Sequence, residues 1–74
     1  MSDAVNIDSL PPHMQRVSVE LQELSSKIES LSAFITASDM FSRLTELDKS
    51  LLLTQLSCMH AYGHILLMRL KQVA

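Results

Sequence analysis

One row of polar residues along the predicted C-terminal helix has the clearest potential for chemistry. Asp48, Gln55, Tyr62 and Arg69 recur every seven residues, so at about 100° per residue they share one side of that helix. The row lies inside an apolar arc, where burying an unpaired guanidinium is very unfavourable. Arg69 therefore predicts an anionic partner, for which there are two candidates. One is Asp48 or a glutamate of a neighbouring subunit; the other is a phosphate, with Tyr62 offering its ring to a base.

A second set of charged residues shares one flank of the predicted N-terminal helix. Arg16 and Glu20 are four residues apart, as are Glu23 and Lys27, which favours ion pairs on the helix surface.

Metal binding and catalysis find less support in the sequence. His60 and His64 are four residues apart, but two histidines alone make an incomplete metal site. The side chains of Cys58 and His60 diverge on a helix, which argues against a paired nucleophile and base. We therefore expect a protein that is not an enzyme and that uses no metal or cofactor.

Two long helices must position these residues. Proline suits the first turn of a helix, and Pro12 opens one predicted to end near Thr36. A second helix is predicted from about Glu46 to about Gln72. The seam of the first helix advances by alternating steps of three and four residues. Its members are Met14, Val17, Leu21, Leu24, Ile28, Leu31 and Ile35.

The segment between the two helices carries capping residues. Ser38 is predicted to cap a single turn in which Met40 and Phe41 cover the end of the hairpin. Thr45 and Asp48 resemble a capping box at the start of the second helix.

The second helix is too apolar to pack against one partner alone. Its apolar residues cover about half of the circumference, and Leu53, Leu67 and Met68 lie on the remaining side. Within it, Gly63 predicts a close approach by another backbone or a ligand, because glycine destabilises a helix. We predict an all-α fold, an antiparallel two-helix hairpin with a short connecting turn or helix, assembled into a homo-oligomeric helical bundle. Residues 1–10 are predicted as a flexible N-terminal tail and residues 11–74 as the hairpin domain.

Composition narrows the classes of function. The net charge of −2 argues against binding a DNA or RNA polymer, and the single glycine excludes a glycine-rich phosphate loop. Cys58 is the only cysteine, so disulfides within the chain are excluded and a buried thiol in a reducing compartment is expected. No signal-peptide pattern begins the sequence, and the unbroken apolar runs are too short to span a bilayer. We therefore expect a soluble, cytoplasmic protein without a membrane partner.

The order of these residues also suggests a family. The positions that carry the resemblance are Arg16, Val17, Glu20, Leu24, Lys27, Ile28, Leu31, Phe34, Phe41, Leu44, Asp48, Leu51, Leu52, Gln55, Met59, Tyr62, Leu66 and Arg69. Over roughly residues 13–72, the chain resembles small bacteriophage proteins of the anti-CBASS sponge family. The hairpin is also similar to one in a phage inhibitor of Thoeris defence. The polar matches Lys27, Gln55, Tyr62 and Arg69 are the most specific.

The resemblance implies a function and a place of action. Members of that family form homohexamers that bind cyclic oligonucleotide second messengers without cleaving them, which starves the host effector. Cyclic dinucleotides and cyclic trinucleotides occupy separate pockets between protomers. A lysine and an arginine contact the phosphates, and Lys27 and Arg69 match them here, with Ser26 a rival on the first helix. The resemblance thus implies action in the cytoplasm of an infected bacterial host.

The start of the first helix departs from the family pattern. Some relatives stack a base on an aromatic residue just ahead of that helix, whereas Leu10, His13 and Met14 stand there in this chain. The expected ligand-binding set is Arg69, Lys27, Tyr62, Ser26, Gln55, Arg16 and His13. The competing hypothesis is a helical assembly module without a small-molecule ligand, in which Arg69 closes a salt bridge between subunits.

Overall fold

Three helices follow one another along the chain: α1 (Pro12–Ala37), α2 (Asp39–Ser42) and α3 (Glu46–Val73). The structure, a computed structural model, describes residues 10–73, with side chains up to residue 72, and this range contains no strand. Both long helices begin where the sequence predicts and end one residue later. Residues 1–9, most of the predicted N-terminal tail, lie outside the described residues.

The chain just before α1 is held against the helix. The Met14 and Gln15 amides donate to the carbonyl of Pro11 at 2.9 and 3.0 Å. The Gln15 side chain donates to the carbonyl of Leu10 at 2.9 Å. Leu10 itself is buried against the helices, so the hairpin domain packs on a residue that the sequence assigns to the tail.

Side-chain caps begin the other two helices as predicted. The Ser38 hydroxyl accepts a hydrogen bond from the Met40 amide at 3.2 Å. The Thr45 hydroxyl accepts one from the Asp48 amide at 3.1 Å. Each cap satisfies an amide that the first turn of its helix leaves without a backbone partner.

The single turn of α2 covers the end of the hairpin with one side chain rather than two. The rings of Phe41 and Phe34 meet edge to face, with centroids 6.1 Å apart and planes at 88°. Met40, in contrast, is 64% exposed. The prediction is correct for Phe41 and wrong for Met40, because the short turn directs only one of two consecutive side chains inward.

α1 and α3 pack antiparallel. Gln55 and Met59 line a groove with Lys27 and Leu31, whereas Tyr62 contacts Glu20, so positions rise along α3 as they fall along α1. The buried residues gather at the end of the hairpin where α1 begins and α3 finishes; they are Leu10, Met14, Val17, Leu66 and Leu70. The rest of the predicted seam of α1 is only half-buried.

One side of α3 stays uncovered by α1. Leu47 is 68% exposed, Leu51 58% and Ile65 53%, on the face turned away from the hairpin contact. Cys58 lies on that face and is exposed, so the prediction of a buried thiol is wrong for the hairpin. The excess apolar surface expected from the sequence is therefore present in the structure.

By length and composition alone, α3 is apolar enough to cross a membrane. An 18-residue window within residues 46–72 has a mean hydropathy of 1.2 and is 6% buried. The length of unbroken apolar runs does not reveal this property of α3. Uncharged polar residues and histidines interrupt the runs without adding a formal charge. A single helix of this kind is weak support for a membrane span, since long core helices of soluble proteins have similar composition.

The structure gives Gly63 a different environment from the one expected. A Cβ atom there would lie 3.5 Å from Leu24 Cδ2 and 3.9 Å from Ile28 Cδ1, both ordinary contacts with side chains. Within the described hairpin, side chains rather than a backbone lie against Gly63, so the expectation of a close backbone is wrong there, and the approach of a ligand stays a prediction.

We predict that Gly63→Ala stabilises the protein by about 1 kcal/mol, because alanine has the higher helix propensity and the space exists. Urea denaturation followed by circular dichroism measures the change. Ala33→Gly, at an exposed position inside α1, is the matched control and should destabilise by a similar amount. A destabilised Gly63→Ala would show that something other than these two side chains packs against the glycine.

Candidate functional site

A groove between α1 and α3 brings together three of the predicted site residues. Its volume is about 450 Å³, and it is lined by Ser26, Lys27, Ser30, Leu31, Gln55 and Met59. The lysine supplies a positive charge, and the hydroxyl and amide groups supply hydrogen-bond donors beside it. Such a set suits an anion with polar substituents, and the leucine and methionine add an apolar wall.

A smaller groove continues from the first along the same helix pair. It has a volume of about 150 Å³ and is lined by Glu20, Glu23, Leu24, Lys27 and Tyr62. Lys27 lines both grooves, so its ammonium stands between a neutral polar region and an acidic one. Tyr62 belongs to the acidic region.

Tyr62 and Glu20 join the two helices through a side-chain hydrogen bond. The Tyr62 hydroxyl donates to Glu20 Oε2. That bond, with smaller contributions from desolvation and the glutamate charge, raises the pKa of Tyr62 above its ordinary value. The positive charge of Arg69 opposes the rise. Tyr62 therefore lies within the electrostatic reach of both a carboxylate from α1 and a guanidinium from its own helix.

Arg69 is exposed in the hairpin. Within residues 10–72, Lys49 and Glu46 form the only ion pair, with a nitrogen–oxygen distance of 3.2 Å. The predicted ion pairs Arg16–Glu20 and Glu23–Lys27 are therefore absent, and Glu20 instead accepts from Tyr62 on the other helix. The anionic partner expected for Arg69 does not come from the described part of its own chain.

The other two predicted residues lie near the start of α1. Arg16 lines a groove along one face of that helix, with Pro12, Gln15, Val19, Glu20 and Glu23. Glu20 and Glu23 connect this groove to the Tyr62 region. His13 is exposed and lines none of these three grooves, so the structure does not bring it together with Lys27 or Gln55.

Several groove residues were not in the predicted ligand-binding set. Ser30 and Met59 line the larger groove, and Glu20 binds Tyr62. The antiparallel register is the signal that identifies Glu20. Once Gly63 is placed opposite Leu24, Tyr62 and Glu20 lie on the same flank of the hairpin.

The histidines lie apart from these grooves. His60 and His64 are exposed on α3. Among the described residues, no group of three or more histidine, cysteine, aspartate or glutamate side chains is placed to hold a metal ion.

Comparison with known protein families decides the classification. Residues 11–72 match the family described as Sequestin. The chain belongs to the Sequestin family. The match spans nearly the whole hairpin, and it confirms the resemblance drawn from the sequence. The name Sequestin points to sequestration of a ligand, hence to a binding protein rather than an enzyme.

Comparison with individual proteins adds no further relative. Neither a curated protein nor a solved structure matches the chain. The functional assignment therefore rests on the Sequestin match and on the grooves of the hairpin.

We predict that Glu20→Gln lowers the pKa of Tyr62, because the substitution removes the carboxylate that stabilises the protonated phenol. Tyr62 is the only tyrosine and the chain has no tryptophan, so tyrosinate absorbance during an alkaline titration follows this one group. Glu23→Gln, in the same groove, is the control and should cause a smaller shift. Equal shifts in both variants would show that the hydrogen bond is not the cause.

The same bond predicts a loss of stability at alkaline pH. A folded-state pKa above the unfolded value means that the contribution is complete below about pH 10. It is lost as the pH rises through the raised pKa of folded Tyr62. Thermal denaturation at a series of alkaline pH values should show wild type losing stability, with Tyr62→Phe losing less over the same range.

Proposed function

We propose that this member of the Sequestin family sequesters cyclic oligonucleotide second messengers and does not cleave them. The ligands would be cyclic dinucleotides and cyclic trinucleotides, and their removal would block the activation of CBASS effectors. The observation that carries the proposal is the groove in which Ser26, Lys27 and Gln55 come together, next to Tyr62.

The chemistry of the grooves supports a ligand of this class. Lys27 suits a phosphate, while Ser26, Ser30 and Gln55 offer donors to phosphate or sugar oxygens. The Tyr62 ring is 43% exposed and offers a face on which a base can stack. The larger groove, at about 450 Å³, falls within the usual range of small-molecule sites.

A single hairpin supplies too few cations for a ligand with two or three phosphates. Lys27 and Arg69 are separate cations on the two helices, and the chain as a whole carries a net charge of −2. A symmetric oligomer would solve this problem, because each protomer presents the same lysine and arginine to a shared ligand. We therefore propose that the protein acts as a homo-oligomer, a homohexamer by resemblance to the sponge family.

The exposed side of α3 supports self-association independently of any ligand. Leu47, Leu51 and Ile65 are each more than half exposed in the hairpin. Soluble proteins rarely expose contiguous apolar surface of this kind without a partner. If further copies of the chain cover this side of α3, its apolar composition is explained without a membrane.

The resemblance to phage anti-defence proteins suggests where this function would operate. We propose action in the cytoplasm of an infected bacterial host, where second messengers of antiviral signalling are released. The likeness of the hairpin to a phage inhibitor of Thoeris defence makes a cyclised ADP-ribose a necessary comparison ligand.

One alternative function has its own supporting observation. Arg69 finds no carboxylate partner among the described residues of its chain. It could therefore close a salt bridge between subunits of an assembly module that binds no small molecule.

Calorimetric titration with cyclic di- and trinucleotides tests the proposal. We expect at least one member to bind, and to be recovered intact after heat denaturation of the complex. A linear dinucleotide of the same base composition is the matched control ligand, and cyclised ADP-ribose is the further arm. Failure of every cyclic di- and trinucleotide to bind would leave the assembly module as the better account. Recovery of a cleaved product would contradict sequestration.

Replacing Arg69 and Lys27 by alanine tests which cyclic nucleotide each cation binds. We expect Arg69→Ala to abolish trinucleotide binding and Lys27→Ala to weaken dinucleotide binding, while both variants keep the wild-type oligomeric mass by light scattering. Loss of one charge-assisted hydrogen bond corresponds to about 1.5–3 kcal/mol, or roughly 10- to 100-fold in Kd, and a ligand shared between protomers would lose one bond to each of them. Lys71→Ala is the matched control, because Lys71 is exposed near Arg69 in sequence and lines none of the three grooves. If Arg69→Ala dissociates the oligomer, its loss of binding does not identify Arg69 as a phosphate ligand.

A further inference from the structure

The uncovered side of α3 is itself a regular heptad seam. Its residues advance by alternating steps of four and three; they are Leu47, Leu51, Thr54, Cys58, Ala61, Ile65, Met68 and Gln72. All of them are exposed. At about 100° per residue, this seam lies roughly 140° around the helix from the side that packs on α1. α3 therefore has two helix-packing sides, and α1 occupies one of them.

The polar row of α3 borders this free seam. Asp48, Gln55, Tyr62 and Arg69 each follow a seam position, so they occupy the flanking position that sets partner choice in coiled coils. The row begins with a carboxylate and ends with a guanidinium. A second copy of α3 in the reverse direction places opposite charges together at both ends.

The ends of α3 select one register for such a pair. When the two helices overlap over their full length, the two-fold axis crosses α3 between Met59 and His60, the midpoint of residues 46–73. Leu51 then faces Met68 of the second copy, and Asp48 lies within about 3 Å of Arg69 along the axis. A shift by one heptad brings Asp48 level with Tyr62 instead and leaves Met68 without a partner.

A parallel pair lacks this complementarity. It would leave the Asp48 carboxylate and the Arg69 guanidinium about 30 Å apart along the seam. Of the two directions, only the antiparallel pair gives Arg69 an anion, which the described part of its own chain does not supply.

We propose that α3 pairs with α3 of a second copy of this chain, antiparallel and in full overlap, with Asp48 of each copy beside Arg69 of the other. The inference rests on the self-association in the proposed function, but it requires no nucleotide. It identifies the free seam of α3 as the contact surface and specifies the register of the pair, which the family resemblance does not supply.

The pair also bears on the grooves. Tyr62 and Gln55 line the grooves between α1 and α3, and their row faces the second copy. In this register Gln55 of one copy lies opposite Tyr62 of the other, so the second copy forms a wall beside each groove. Arg69 has five N–H donors, which allows it to hold a carboxylate and still donate to a phosphate.

Disulfide trapping tests the direction and register without a ligand. In a Cys58→Ser background, we expect the double variant Leu51→Cys/Met68→Cys to form covalent dimers under mild oxidation. These two positions are about 25 Å apart on one helix, so a disulfide within one chain is excluded. Each single-cysteine variant should stay monomeric on a non-reducing gel, because its two copies are also about 25 Å apart in the antiparallel pair.

The single-cysteine variants are the matched controls for direction. Cross-linking of Leu51→Cys alone or Met68→Cys alone would indicate a parallel seam and overturn the proposal. Absence of covalent dimers from the double variant would overturn the register. A monomeric mass for the wild type by light scattering would overturn the pairing itself.

Charge reversal separates this inference from the proposed function. We expect Asp48→Arg to shift the protein toward smaller species, and the double variant Asp48→Arg/Arg69→Asp to restore the wild-type mass. The double variant should still fail to bind trinucleotide, since the guanidinium has moved. A restored mass supports the α3 pair even if no nucleotide binds the wild type; no restoration overturns the salt bridge even if nucleotides bind.

Discussion

The surface of α3 is the constraint on which the rest of this small protein depends. A helix with apolar residues on two sides cannot satisfy both through one neighbour, and α1 covers only the side that contains Leu66 and Gly63. The opposite side, from Leu47 to Ile65, remains exposed. The described part of the hairpin has five buried apolar residues, a core that contributes little free energy, so a chain of this size needs additional burial to be stable.

The same geometry explains why several candidate binding residues collect at one flank of the hairpin. Residues on the border between the two sides of α3 contact α1 without being enclosed by it. Gln55 and Tyr62 stand on that border and meet Lys27 and Glu20 across the grooves. Polar groups are tolerated there because solvent still reaches them.

Periodicity was enough to predict the helices, because alternating steps of three and four define a seam directly, and the short connection between the helices was enough to predict that they pack antiparallel. Local hydroxyl positions identified the caps at Ser38 and Thr45 in the same way. The partner of Glu20 could not be predicted at that level. The four-residue spacing favours Arg16 as the partner of Glu20, whereas in the structure the partner is Tyr62 on the other helix. That contact depends on the register of the two helices, and the register depends on packing along the whole interface. The role of Arg69 is harder still to predict, since no carboxylate among the described residues pairs with it.

The acidic character of the chain is compatible with an anionic ligand because charge acts locally in a groove. Glu20 and Glu23 lie on one side of Lys27, while serine and amide groups lie on the other. A phosphate near Lys27 therefore meets attraction and hydrogen-bond donors on one side and repulsion on the other. The hydrogen bond from Tyr62 spreads the charge of Glu20 onto the phenol without removing it. Under the proposed function, a phosphate at Lys27 would be directed toward Ser26 and Gln55, and a second phosphate would reach past the acidic pair toward Arg69. Such an arrangement favours ligands whose phosphates are held apart by a rigid ring over compact polyphosphates with adjacent charges.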